Sequence, residues 1–136
     1  MEESFVAGSF NFNIRGVDLD PDEITKNIKL KPTKVRRKDE LITKNTKMMD
    51  SYWSYQVKFN GCDQLNQVLE KFLSTLLPYK AFVSDISEVY DAYIFFGLRS
   101  NLGQLGFELP PKTLQELANL NIRFEVHFIS YGEVEN

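Results

Sequence analysis

Residues with reactive or metal-binding side chains are scarce in this chain. Its 136 residues include one cysteine, Cys62, and one histidine, His127. A lone cysteine allows no internal disulfide, and a zinc site needs several clustered ligands. The sequence contains no nucleophile elbow, P-loop or dinucleotide fingerprint. We therefore predict a non-enzymatic protein with no catalytic residues, no cofactor and no metal, in which Cys62 is a bystander at the start of a helix.

Long apolar runs and secretory signals are also lacking. No stretch approaches the roughly 20 apolar residues that span a bilayer. The opening "MEESFVAGSF" is acidic where a signal peptide is basic, and no apolar core follows it. Hydrophobic residues make up 43% and charged residues 26% of the chain, which is typical of globular proteins. We expect one cytoplasmic domain over residues 1–136 with no membrane contact.

Four segments alternate between apolar and polar residues, which predicts half-buried strands. They are "GSFNFNIRG" (8–16), "YWSYQVKF" (52–59), "AYIFFGLR" (92–99) and "IRFEVHFISY" (122–131). Each strand has one apolar face and one mixed face. That pattern indicates a mainly antiparallel sheet that is covered on one side.

Helical spacing occupies the segments between the strands. "DPDEITKNIKL" (20–30) begins with Asp20 as an N-cap and Pro21 at the first helical position. Further amphipathic patterns lie at 63–78, 79–90 and 110–120, and a short edge strand is the alternative for 79–90. The chain therefore predicts an α+β two-layer sandwich, with a four-stranded, mainly antiparallel sheet and helices on one face. The ferredoxin-like arrangement is the nearest common superfold.

The layout of these segments resembles a known bacterial family. A first strand leads to "GVDLDPDEITKNIKLKPTK", a charged turn "RRKDE", a strand "SYWSY" and a closing "FELPPKTLQELANLNIRFEVHFI". This layout is similar to the family catalogued as domain of unknown function 4279. The resemblance implies a small, single-domain, cytoplasmic bacterial protein, and it supplies no catalytic residues. The charged turn of the family usually has a glycine before its acidic residue, whereas here Lys38 precedes Asp39.

One internal segment concentrates positive charge. Residues 29–47 hold eight of the sixteen Lys and Arg but two of the nineteen Asp and Glu, so their formal charge is +6 and the rest carries −9. We interpret the connection at about 31–50 either as a solvated loop or as a patch that steers an acidic partner. Nucleic acid is the less favoured partner, because the pI is about 5.2 and aromatic residues are absent from this loop. The candidate contacts are Lys34, Arg36, Arg37 and Lys38.

The mixed side of the predicted sheet is a second candidate surface. Aromatic and arginine side chains favour the centres of protein interfaces, and this side carries both. Another helix, a loop or a second subunit is the alternative cover for it. A surface role is the simpler interpretation of His127, and a binding contact or general base is the sharper one. The candidate contacts are Tyr52, Tyr93, Phe95, Arg99, Arg123, His127 and Tyr131, beside Arg15 and Lys58.

These observations favour a non-enzymatic protein–protein interaction module, with an immunity-type protein that neutralises a toxin as one specific form. A nucleic-acid-binding protein that uses the basic loop is the first alternative. A small-molecule-binding domain or enzyme with an unrecognised cavity is the second, and the sequence alone shows no cavity.

Overall fold

The computed structural model describes residues 6–133, which form an α+β domain. The strands and helices are β1 (Val6–Gly16), α1 (Pro21–Ile28), β2 (Lys34–Arg36), β3 (Leu41–Thr43), β4 (Thr46–Lys47), β5 (Ser51–Asn60), α2 (Cys62–Leu76), α3 (Lys80–Val89), β6 (Asp91–Leu102), α4 (Pro111–Asn119) and β7 (Arg123–Glu133). A short 3-10 helix, Leu77–Tyr79, joins α2 to α3. Among the helices of residues 6–133, none has the length and apolar character needed to cross a membrane.

The main sheet has five strands in the order β2-β5-β1-β6-β7. The long central strand β1 pairs antiparallel with β5 and β6, whereas β6 pairs parallel with β7. The four long strands are confirmed. The prediction of a four-stranded sheet is wrong, because β2 adds an antiparallel edge strand beside β5. The parallel last pair makes the sheet mixed.

The connections between strands also differ from the ferredoxin-like expectation. A ferredoxin-like β-α-β-β-α-β order joins its two middle strands without a helix. Here helices separate each pair of consecutive long strands: α1 lies between β1 and β5, α2 and α3 between β5 and β6, and α4 between β6 and β7. The ferredoxin-like prediction is therefore wrong in connectivity, although the α+β class holds.

The apolar sides of the strands meet the helices in one core cluster. Phe10 of β1 lies with its ring centroid 4.7 Å from that of Phe96 in β6, and Phe72 of α2 lies 6.0 Å from Phe10. Trp53 of β5 is fully buried, and its Nε1 donates a hydrogen bond of 3.0 Å to Thr25 Oγ1 of α1. All four α-helices named above contribute to this cluster or pack on it, so the helices cover one face of the sheet.

Local sequence signals set the limits of α1. Asp20 is the N-cap, and its Oδ1 accepts a hydrogen bond of 3.0 Å from the Asp22 backbone N–H. Lys29 ends the helix in the left-handed conformation, with a φ of 57°. Segment 79–90 forms α3 and not an edge strand, because the helix buries Val83 in the core. Cys62 is exposed at the start of α2, as expected.

The basic segment is more ordered than a solvated loop. Its residues form β2 on the edge of the main sheet and a small hairpin of β3 and β4. The Asp39 backbone N–H donates to the Met48 carbonyl over 2.9 Å, and the Met48 N–H donates to the Glu40 carbonyl over 2.8 Å. Part of the predicted connecting loop is therefore β structure, and the Thr33 backbone N–H, which donates to the Ser54 carbonyl over 2.7 Å, joins it to β5.

Candidate functional site

The strand register brings the polar residues of the sheet into rows that cross four strands. Residues that pair directly across strands lie on the same side of a sheet. We call this side the mixed face and define it by three rows. From β5 to β7 the rows are Lys58–Ser9–Gly97–His127, Gln56–Asn11–Phe95–Glu125 and Ser54–Asn13–Tyr93–Arg123. Arg15 and Tyr52 extend the face at one end, and Arg99 and Ile129 extend it at the other.

No helix of residues 6–133 covers the mixed face. The helices bury their side chains in the core cluster, whose sheet residues all point to the opposite side. Lys58, Arg99 and His127 are exposed, whereas Asn11 and Asn13 in the centre are buried under larger neighbouring side chains. Within the described chain, a helix is therefore ruled out as the cover of this face.

Hydrogen bonds fix the side chains near Arg15. The Arg15 guanidinium lies 3.3 Å from the Asp50 carboxylate and 5.5 Å from the centre of the Tyr52 ring. The hydrogen bond to Asp50 raises the pKa of Arg15, against the opposing effect of burial. Asn13 Oδ1 accepts hydrogen bonds from the Tyr52 hydroxyl (3.0 Å) and the Ser54 hydroxyl (2.6 Å). This end of the face is therefore a fixed polar surface.

Arg123 organises the neighbouring part of the face on β7. Its guanidinium carbon lies 4.2 Å from the centre of the Tyr93 ring, which is a cation–π geometry. The guanidinium donates hydrogen bonds to the Asp91 carboxylate and, over 2.9 Å, to Glu125. The bond to Asp91, followed by that to Glu125, raises the pKa of Arg123. Glu125 also lies 3.5 Å from His127 Nε2, so the acidic groups here already have partners.

A cleft of about 370 Å³ lies at the opposite end of the mixed face. Gly97 of β6 is part of its lining and has no side chain to fill the space between β1 and β7. The Phe95 ring lies along one side, with its centroid 4.6 Å from the His127 ring. The residues that line the cleft are Gly8, Ser9, Gln56, Lys58, Phe95, Gly97, Leu98, Arg99, His127 and Ile129. The lining is thus part cationic, part hydroxyl and amide, and part apolar.

Part of the basic segment belongs to the same surface. Strand β2 pairs Lys34 with Ser54 and Arg36 with Tyr52, so both cationic side chains lie on the mixed face beside its aromatic residues. The two surfaces that the sequence presented as separate are therefore continuous at the β2 edge. Arg36 is not a free charge, since its guanidinium lies 3.0 Å from the Glu40 carboxylate.

The other two predicted contacts of the basic segment lie away from the mixed face. The Arg37 guanidinium pairs with Asp22 of α1 at 3.0 Å. The Lys38 backbone N–H donates to the Ser51 hydroxyl over 3.0 Å, and its side chain is exposed. The structure therefore divides the predicted patch: Lys34 and Arg36 join the sheet surface, whereas Arg37 and Lys38 do not.

Tyr131, another of the predicted contacts, lies at an irregularity in the pairing of β6 with β7. The β6–β7 pairing shifts between Ser100 and Leu102, and Tyr131 lies opposite that shift. Four residues that line the cleft were not predicted as contacts, although each follows the alternation of its strand: Ser9, Gln56, Gly97 and Ile129. Predicting that they lie together requires the strand order. For example, Lys58 and Gly97 share a row only because β1 lies between β5 and β6 and pairs with both.

The model of the family described as Domain of unknown function (DUF4279) matches residues 7–131. The chain belongs to the DUF4279 family. The match runs from β1 into β7, so the whole mixed face of this DUF4279 protein lies inside the family domain. No curated protein and no solved structure matches the chain. Within residues 6–133, no three His, Cys, Asp or Glu side chains are grouped as metal ligands.

Proposed function

We propose that this DUF4279 protein is a non-enzymatic interaction module of the bacterial cytoplasm that binds an acidic protein partner on its mixed face. The observation that carries the proposal is a broad sheet surface of aromatic and cationic residues with no cover from residues 6–133. A sheet that buried this side against its own helices would leave no such surface.

The chemistry of the mixed face suits the centre of an interface. Tyrosine and arginine are enriched among the residues that contribute most to protein binding. Here Tyr52 is held by Asn13 and Arg15, and Tyr93 lies under Arg123. Because neighbouring residues already hold these side chains in place, less of their conformational entropy is lost when another protein binds.

The charges of the face favour an acidic partner. Lys34, Lys58 and Arg99 make no ion pair with any residue in the described range 6–133. The whole chain nevertheless has a formal charge of −3, so its positive charge is localised. Complementary charge mainly sets specificity and association rate. An immunity-type protein that neutralises a toxin is one specific form of this proposal, since a small binding domain of this kind suits that role.

Affinity capture with charge-matched variants tests the proposal. The mixed-face variant is Lys58→Glu with Arg99→Glu, and the control is Lys71→Glu with Lys80→Glu on the exposed surface of the helical layer. Both variants change the net charge equally. We expect a partner that wild type and the control capture at low and moderate salt, and that the mixed-face variant loses. A partner recovered equally by all three proteins, or no partner at all, would contradict the proposal.

Nucleic acid binding is the second candidate function, and the register gives it one supporting observation. Strand β2 places Lys34 and Arg36 beside Tyr52 on an exposed sheet face, and RNA-binding sheets stack bases on such aromatic residues. Titration of labelled RNA and DNA at two salt concentrations separates this function from protein binding, because phosphate contacts produce a steep salt dependence. An absence of binding at low salt would remove this candidate.

A further inference from the structure

We propose that the cleft over Gly97 binds a small organic anion, namely a carboxylate attached to an apolar or aromatic group. The cleft shares Lys58 and Arg99 with the proposed docking surface, but the ligand proposal is argued from the cleft alone and does not depend on a protein partner. The proposal depends on three properties of the cleft: a hydroxyl donor on its floor, cations on its rim and apolar surfaces on its sides.

The floor presents a hydroxyl group that is set to donate. Ser9 Oγ accepts a hydrogen bond from Asn11 Nδ2 over 3.1 Å and another from Gln56 Nε2 over 3.4 Å. A serine hydroxyl has two acceptor positions and one hydrogen to donate. Both acceptor positions are occupied, and no residue in the range 6–133 accepts the remaining hydrogen. The Ser9 hydroxyl can therefore donate a hydrogen bond to a ligand that lies over it, so the ligand atom at this position should be an acceptor.

The rim of the cleft is cationic and has no free carboxylate. Lys58 and Arg99 line it, both are exposed, and neither forms an ion pair with a residue of the described chain. Glu125 is the acidic residue of the adjacent row, and it already pairs with Arg123 and His127. The lining thus contains Lys58 and Arg99 but no aspartate or glutamate, and hydrogen bonds between charged groups are the strong ones. A carboxylate is the ligand group whose charge and acceptor oxygens suit both the hydroxyl and the cations of this lining.

The sides of the cleft accept an apolar group beside the carboxylate. The Phe95 ring stands against the His127 ring on one side, and Ile129 on the rim is 58% exposed. The volume of about 370 Å³ falls in the range of roughly 300–1,000 Å³ that small-molecule sites occupy. The ligand class is therefore an aromatic or branched aliphatic carboxylic acid and not a bare inorganic anion.

Gly97 keeps the cleft open and supplies a steric test. A Cβ atom at this position would lie 3.0 Å from Phe95 Cε1, which is the movable edge of a ring. Gly97→Val should therefore fold after a small shift of Phe95, and its side chain would occupy the space over the floor. Gly106 has no atom within 4 Å of the corresponding position, so Gly106→Val is the matched control.

The experiment is a titration followed by the backbone amide NMR signals of Gly97, Arg99 and His127. The probes are phenylacetate and its uncharged analogue phenylacetamide. We expect saturable shifts with phenylacetate, and an affinity lower by about tenfold or more for phenylacetamide and for Arg99→Gln, because hydrogen bonds to charged groups are strong. Gly97→Val should lose binding, whereas Gly106→Val and Lys34→Gln should retain it. Thermal unfolding of each variant checks that the fold is intact.

Two results would overturn the proposal. Equal binding of the acid and the amide would show that the cleft does not recognise charge, and phenylacetate binding unchanged in both Arg99→Gln and Gly97→Val would place it elsewhere. A second probe, N-acetyl-Leu-Glu-amide, identifies the source of the carboxylate. Tighter binding of phenylacetate supports a free small molecule as the ligand, and tighter binding of the peptide supports a side chain of a protein partner. Because this titration needs no captured protein, its failure is distinct from failure of the proposed function.

Discussion

At the scale of single residues, Asp39 adopts an unfavourable backbone conformation in the charged turn. Its φ is 70°, in the left-handed region that costs roughly 1–2 kcal/mol for most residues with a Cβ atom, although Asp tolerates it better than most. We expect Asp39→Gly to raise the free energy of unfolding by up to about 1 kcal/mol, as measured by urea denaturation.

Lys38→Gly is the control for this substitution. Lys38 is not among the residues with positive φ in the described chain, so glycine there relieves no strain and adds flexibility to the unfolded state. The variant should be less stable than wild type. If Asp39→Gly destabilised the protein as much as Lys38→Gly, the Asp39 conformation would not be a source of strain.

Glu40 links the stability of the same turn to pH. Its carboxylate accepts the Arg37 backbone N–H over 2.9 Å and the Arg36 guanidinium over 3.0 Å, and these bonds lower the pKa of Glu40. A lowered folded-state pKa contributes stability that is complete above the ordinary value of about 4.3 and is lost as the pH falls through the lowered value. We expect wild type to be more stable than Glu40→Gln at neutral pH, by a small margin because the group is exposed.

Denaturant unfolding at several pH values, together with an NMR titration of the Glu40 carboxyl, measures this difference. The stability margin over Glu40→Gln should narrow as the solution becomes acidic. A stability margin that stayed constant from neutral pH to well below the ordinary glutamate pKa of about 4.3 would show that the carboxylate charge contributes nothing.

At the scale of elements, one buried hydrogen bond attaches α1 to the sheet. Trp53 Nε1 donates to Thr25 Oγ1 over 3.0 Å, and Trp53 is fully buried. Thr25→Val keeps the shape of the side chain but leaves the indole N–H without an acceptor. We expect a loss of about 1–3 kcal/mol in the free energy of unfolding, measured by urea denaturation with the fluorescence of the single tryptophan. Thr43→Val, on the exposed β3, should have little effect.

Strand β7 forms an edge of the sheet with unusual exposed apolar surface. Val126 is 47% and Phe128 45% exposed, and the strand contains neither lysine nor proline, which commonly protect edge strands from pairing with other chains. We expect Val126→Lys to reduce self-association at high concentration, as measured by light scattering. Val89→Lys introduces the same charge at the 72% exposed end of α3 and should leave self-association unchanged. If Val89→Lys reduced self-association and Val126→Lys did not, the β7 edge would not be the surface through which the protein self-associates.

At the scale of the whole molecule, a single core makes unfolding cooperative. Phe10 lies in the central strand and contacts rings of β5, β6 and α2. We expect Phe10→Ala to lower the free energy of unfolding by about 3–5 kcal/mol. Tryptophan fluorescence and far-ultraviolet circular dichroism should still report the same midpoint. Different midpoints for the two signals would show that the sheet and helices unfold separately.

The sequence predicted the long strands and helices because each has one buried and one exposed side. Apolar residues therefore recur along it at the regular spacing of a strand or a helix. It did not predict β2, since the three residues from Lys34 to Arg36 are too few to show alternation. It also did not predict that β7 runs parallel to β6, because alternation carries no information about strand direction. The five candidate contacts on β6 and β7 other than Tyr131 lie on the mixed face. The cleft was not predicted, since rows such as Lys58–Ser9–Gly97 depend on strand order.

The position of β1 in the middle of the sheet has a consequence for synthesis of the protein. Phe10 of this strand pairs with Val57 and Phe96, both of which are translated much later. At about 5–20 residues per second, the ribosome needs roughly 4–17 s to advance from Phe10 to Phe96. For the first part of that interval, until β5 is translated, the apolar side chains of β1 have no partner strand. Strand β1 can therefore pair with β5 first, and its second edge stays unpaired until β6 has been translated.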